Sequence, residues 1–187
     1  PVLSQGAMQV LGKLICGENP ELLERAVNRL DLYLAKILRR RGLMKVFQVP
    51  GGWLEPFLEG LMCSELLSSL LIPYPSLVEG LVSADGRCPT YDQWLKRSEE
   101  VLARYDGYEE GLEWLRRLKN ERALQLVLAL LRGDISHRRL EEELTRLADF
   151  VIQHTLRRVL LSLGIDPDCP LAILGLGFTT SFWPFFA

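Results

Sequence analysis

Histidine and cysteine are scarce in this chain of 187 residues, which holds two of the first and four of the second. His137 and His154 lie far apart, with no carboxylate or cysteine spaced to complete a triad or a metal site. Cys16, Cys63, Cys88 and Cys169 form no C-x-x-C pair and have no histidine at ligand spacing, which argues against zinc and points to a reduced, intracellular protein. An excess of basic charge is missing too. Lys and Arg number 22 against 24 Asp and Glu, for a net charge of -2 and a pI near 5.8, so a general nucleic-acid binder is not expected. The start has no basic stretch followed by an apolar core, so no signal peptide is read, and Pro1 in place of Met suggests a cut or processed N-terminus. Leu171 to Ala187 carries no charge, but it falls short of the roughly 20 residues of a spanning helix and contains Gly175, Gly177 and Pro184. A membrane span is therefore not expected. No repeat of fixed length is present, which argues against a solenoid. Ser162 and Ser181 lack a nucleophile-elbow context, and Asp166 and Asp168 flank Pro167 as a turn rather than a metal pair.

What is present is ordinary globular composition, 48% hydrophobic and 25% charged, arranged with helical periodicity. Asn19 as N-cap and Pro20 at the first position open a helix that ends before Gly42. Leu22, Leu23, Ala26, Leu30, Tyr33, Leu34, Ile37 and Leu38 make its apolar face. Lys36, Arg39, Arg40 and Arg41 crowd its last turn, where cations complement the helix dipole; that run reads as a solvated cap or, alternatively, as a phosphate or partner site. Between Val49 and Gly86, Pro50, Pro56, Pro73 and Pro75 break the chain into short helical pieces. Leu61, Leu66, Leu67, Leu70, Leu71 and Ile72 are their packing residues.

Three longer helices follow a turn at Asp85–Pro89, the best internal boundary. Thr90 with Gln93 is a capping box that opens a helix to about Tyr105. A second helix runs from about Tyr108 to Leu131 and closes at Gly133. The third is capped by Ser136 and stops at Gly164. Leu140, Leu144, Leu147, Ala148, Val151, Ile152, Thr155 and Val159 keep the helical period along it. Short links between long amphipathic helices favour antiparallel packing. The fold class is all-α: an irregular bundle of six or seven helices, with a single strand-like stub, Leu171–Gly177, near the C-terminus.

The densest chemical signal is Trp114–Leu115–Arg116–Arg117–Leu118–Lys119–Asn120–Glu121–Arg122. Arg116, Lys119 and Asn120 share a helix face and form a possible basic site for phosphate or carboxylate groups. The competing reading is a surface ion-pair network neutralised by Glu109, Glu113 and Glu121.

These residues also carry a resemblance. Leu115–Asn120, then Gly133–Asp134, then Glu143–Leu144–Thr145–Arg146–Leu147–Ala148–Asp149 resemble the R-R-F-K helix, short turn and E-L-S-x-L-A-D helix of bacterial glutamine synthetase adenylyltransferases. Leu66–Val78 resembles an earlier segment of that family, and the similarity covers most of residues 55–177. It implies that Leu171–Gly177 opens a nucleotidyltransferase core, with Gly175 and Gly177 as the candidate nucleotide-binding positions.

The departures are specific. The family's Arg-Ile pair and a later Asp are replaced by Gln125–Leu126 and Leu130. Its G-K-L-G-G run and S-D-I-D segment, whose aspartates bind magnesium, are replaced by Phe178–Ala187, which has no acidic residue. Without those carboxylates AMP transfer loses its main charge stabilisation, so this chain alone is expected to be inactive, with no catalytic residue and no metal ligand. The aromatic tail reads as a truncation or frame error, as an anchor, or as a strand completing a small sheet.

The expected organisation is thus an N-terminal helical segment over 1–86, a long-helix bundle over 87–164, and the truncated start of a nucleotidyltransferase core over 165–187. The resemblance implies a cytoplasmic protein of nitrogen regulation whose helices brace the catalytic core. Magnesium and ATP belong to the full family protein, and glutamine synthetase and a PII signal protein are its partners. The rival expectation is a non-catalytic helical interaction module; a weaker third is a peripheral membrane protein using the aromatic tail.

Overall fold

A computed structural model describes residues 20–38, 53–79, 88–105 and 107–167, together with Met8 and Gly12. Among the described residues the secondary structure is entirely helical, as the periodicity predicts. The helices are α1 (Pro20–Ile37), α2 (Leu54–Cys63), α3 (Glu65–Leu71), α4 (Tyr91–Leu102), α5 (Tyr108–Leu131) and α6 (His137–Ser162), with a 3-10 turn at Pro75–Leu77 between α3 and α4. The stub Leu171–Gly177, including Gly175 and Gly177, lies outside the described residues, as do the aromatic tail and Arg39–Arg41.

Local chemistry sets the helix ends. Pro20 occupies the first position of α1, where the missing N–H costs nothing. Ser64 both ends α2 and caps α3, its Oγ accepting from the Leu67 N–H at 3.3 Å. Thr90 and Gln93 form the expected reciprocal box at α4, with bonds of 3.4 and 3.0 Å. Ser136 Oγ accepts from the Arg139 N–H at 3.2 Å to open α6. Both long helices close with glycines in the left-handed region, Gly133 at φ 76° and Gly164 at φ 69°. After each, the next two N–H groups reach back to the orphan carbonyls: Gly133 to Leu130 and Asp134 to Ala129, then Gly164 to Leu161 and Ile165 to Leu160.

Packing divides into two apolar clusters joined through α5. The first gathers Ala26, Tyr33 and Ile37 of α1 with Trp53, Phe57, Leu58 and Leu61 around α2 and with Leu67 and Leu71 of α3. Leu124 and Leu128 of α5 complete it. The second joins Trp94 and Leu102 of α4, Leu115, Leu118 and Ala123 of α5, and Leu147 and Phe150 of α6. The Trp94 and Phe150 rings meet edge to face at 4.8 Å. Because α5 serves both clusters, half of its 24 residues are buried, including Asn120, Glu121, Arg122 and Gln125. It therefore lacks the single apolar stripe of a surface helix.

The α1 face is narrower than its sequence pattern implies. Leu22 and Leu38 are 48% and 62% exposed rather than packed. Leu38 lies about 120° around the helix from Ala26, and Leu22 sits in the first turn.

Candidate functional site

The α5 segment singled out in the sequence faces the 3-10 turn. Between them lies a groove of about 130 Å³, lined by Tyr74 and Ser76 on one side and by Glu113, Arg116, Arg117 and Asn120 on the other. The spacing of these four α5 residues explains why they converge: 113, 116, 117 and 120 fall on one side of the helix. Lys119 is not among the lining residues. It is half-buried at the shoulder of α5, and burial, then the neighbouring Arg116 charge, push its ammonium pKa down.

The groove's arginines stand at its rim. Arg116 pairs with Glu113 at 2.5 Å, both side chains being more than half exposed. Arg117 lies 3.9 Å from Glu79 and stacks over the Trp114 ring at 5.1 Å, and Trp114 in turn stacks on Tyr105. Exposed pairs of this kind contribute about 0–1 kcal/mol, so either arginine can exchange its partner at little cost. Asn120 differs: it is 5% exposed, and its Oδ1 accepts no hydrogen bond among the described residues. A basic face of three equivalent polar residues is thus resolved into one exposed arginine, one half-buried lysine and one buried amide.

Sequence spacing did not reveal the charged cluster deeper on the same helix. Arg122 Nη2 meets Glu143 Oε2 of α6 at 2.5 Å, with the two side chains 2% and 4% exposed. Arg122 Nη1 also donates to the Pro89 carbonyl at 2.8 Å and approaches Cys88 Sγ at 3.4 Å, and its guanidinium lies over Trp94 at 5.7 Å. The other oxygen of Glu143 faces Arg139 at 2.7 Å and Arg146 at 3.7 Å. Three cations around one buried carboxylate offset its desolvation. The cluster ties the start of α4 to α5 and α6. Glu143 lies in a segment that carries the family resemblance and Arg122 two residues beyond another, and that was the one available hint.

A second arginine clamps the opposite end of α4. Arg158 of α6 crosses over Gly111 and donates to the carbonyls of Leu102, Tyr105 and Gly107 at 3.3, 3.1 and 3.4 Å. It thereby ties the end of α4 to the start of α5, sharing the Leu102 and Gly107 carbonyls with the N–H groups of Tyr105 and Gly111. Burial holds the Cys88 thiol pKa above its ordinary value, so it is a poor nucleophile at neutral pH.

The carboxylates flanking the groove, Glu113 and Glu79, are each turned to an arginine. Among the described residues no group of three or more His, Cys, Asp or Glu side chains is placed to hold a metal ion. Also among these residues, no helix is long and apolar enough to cross a membrane.

Among the described residues, six α-helices packed around two apolar clusters and a buried ion pair define the class: an all-helical protein. A profile of the glutamate-ammonia ligase adenylyltransferase family matches residues 55–165, more than half of the chain, and the chain belongs to that family. Searches among curated proteins and among solved structures return no significant match.

Proposed function

We propose that this chain provides the helical portion of a glutamine synthetase adenylyltransferase or adenylyl-removing protein and braces its nucleotidyltransferase core. Glutamate-ammonia ligase, which is glutamine synthetase, is the target named for the family. In this reading the metal-binding carboxylates, magnesium and ATP belong to the core, and a PII signal protein controls the whole from outside these helices.

The observation that carries the reading is the uncovered apolar side of α6. Ile152, Leu156 and Val159 are only half-buried, and Leu161, Leu163 and Ile165 are 56%, 66% and 43% exposed. Residues 152, 156, 159 and 163 follow one stripe along the helix. Contiguous apolar surface of this kind marks a packing site, and here it lies on the helix that leads toward Leu171. A catalytic sheet needs a helical layer over one face, and this stripe has the chemistry to supply one.

The test is association of the full chain with a separately expressed nucleotidyltransferase core from a family member, followed by calorimetry. Binding is expected, and it is expected to be lost when Leu156 and Leu163 are both replaced by glutamate, with helical content by circular dichroism unchanged. Failure to bind the core, with binding to glutamine synthetase or PII instead, would replace bracing with a non-catalytic interaction module.

A further inference from the structure

Two different kinds of contact hold α6 in place. In its first half the contact is buried: Glu143 meets Arg122, and Phe150 meets the Trp94 ring of α4. From residue 151 to residue 159 no residue of α6 is fully buried, and burial resumes only at Leu160. Across that gap the side of α6 that continues from Phe150 carries His154 and Arg158, at i+4 and i+8. The His154 ring lies against Phe150 at 4.2 Å, and Arg158 holds the carbonyls of Leu102, Tyr105 and Gly107. This half therefore rests on one half-buried ring and on hydrogen bonds from one half-buried guanidinium. So few buried apolar contacts mark the part of an interface that opens first.

Charge decides when it opens. The charged groups that face His154 are Glu99 of α4 and Arg158 and Arg157 of its own helix. Burial, opposed by Glu99 and reinforced by the two arginines, favours the neutral imidazole over the charged one. A proton on His154 sets two cations one turn apart, a pairing that destabilises a helix face, and leaves an ion half-buried against Phe150. Both costs are relieved when the ring and the Arg158 side chain turn to solvent, and the bonds from Arg158 to the end of α4 are then lost. At the other end of α6 the buried pair of Arg122 and Glu143 contains no histidine.

We propose that His154 is a pH latch on the α4–α6 contact: the neutral ring keeps the second half of α6 closed on α4, and the protonated ring opens it while the Arg122–Glu143 end stays shut. Because the closed form prefers the neutral ring, it prevails at neutral pH and gives way as the pH falls below the ordinary imidazole value of 6.5. Ile152, Leu156 and Val159 lie on the same half of α6, so opening also loosens the segment that carries this stripe. The latch does not depend on what covers the stripe, and its test needs no catalytic core.

The experiment is residue-resolved amide hydrogen exchange of the full chain from pH 8 to 5, each rate compared with the intrinsic rate at that pH. The His154 imidazole and Arg158 Nε–H signals are followed by NMR in the same samples. The amides of Ala103, Arg104 and Tyr105, which close the last turn of α4, are expected to lose protection as His154 titrates. Those around Arg122 and Glu143 are expected to keep theirs. His154→Gln is expected to keep the end of α4 protected across the whole range. Arg158→Gln is expected to leave that end unprotected at every pH, and it serves if the His154 variant does not fold. Three results would overturn the proposal: protection unchanged between pH 8 and 5, an equal loss around Arg122 and Glu143, or a pH step that persists in His154→Gln.

Discussion

Arg122 and Glu143 meet at 2.5 Å across the contact between α5 and α6, with side chains 2% and 4% exposed. A pair this deep is costly to break on one side only, because the surviving charge stays buried. Arg122→Ala is expected to lower stability by about 3–5 kcal/mol, read as a loss of urea midpoint with helical content retained below it. Replacing both partners, as Arg122→Met with Glu143→Leu, is expected to cost much less than the single change. A double variant no better than Arg122→Ala would show that the bonds to Pro89 and Cys88 matter more than the ion pair.

Gly111 and Arg158 are coupled in a way that reverses a simple helix rule. Alanine in place of glycine within a helix gains about 1 kcal/mol, but a Cβ at Gly111 would overlap the Arg158 guanidinium. Gly111→Ala is therefore expected to destabilise, since Arg158 must release the carbonyls at the end of α4. In an Arg158→Ala background the same substitution is expected to stabilise. Thermal unfolding of the four proteins of this cycle checks the sign change.

Gln125 is 3% exposed, and among the described residues neither its Nε2 nor its Oε1 has a hydrogen-bond partner. An apolar side chain of similar length removes the unpaired amide without opening a cavity. Gln125→Met is expected to raise stability by about 1 kcal/mol. A loss of stability would show that an ordered water satisfies the amide.

His154 packs its ring against Phe150 at 4.2 Å and is half-buried. Burial is the main cause that pushes its pKa below the ordinary 6.5; Glu99 opposes the shift, and Arg158 and Arg157 add to it. The unfolded chain then binds the proton more readily than the folded one. Stability from this group is fully present above pH 6.5 and is lost as the pH falls from there through the folded value. Thermal midpoints measured from pH 8 to 5 are expected to fall on the acid side, and His154→Gln to flatten that part of the profile.

Much of the fold was legible because helix ends are written locally. Thr90 with Gln93, Ser136, Gly133 and Gly164 each stop or start a helix through bonds to residues a few positions away, and the structure shows those bonds. The site was less legible. Arg116, Lys119 and Asn120 have the right spacing for one face, yet one is exposed, one half-buried and one buried, because the 3-10 turn covers only part of that face. On α6, the buried set includes Glu143, Phe150 and Leu160, while most of the periodic apolar positions are only half-covered.

The sequence by itself determined the all-helical class, the helix boundaries and the family resemblance, since caps, periodicity and motif order depend on neighbours along the chain. Tertiary structure alone decided that α5 lies between two cores, that Arg122 and Glu143 are hidden together, and that Asn120 is buried beside a groove. Burial is a property of what packs from elsewhere in the chain. Glu113 and Glu143, or Arg116 and Arg122, carry the same side chains in the sequence, and only the helices laid against them separate a solvated charge from a buried one.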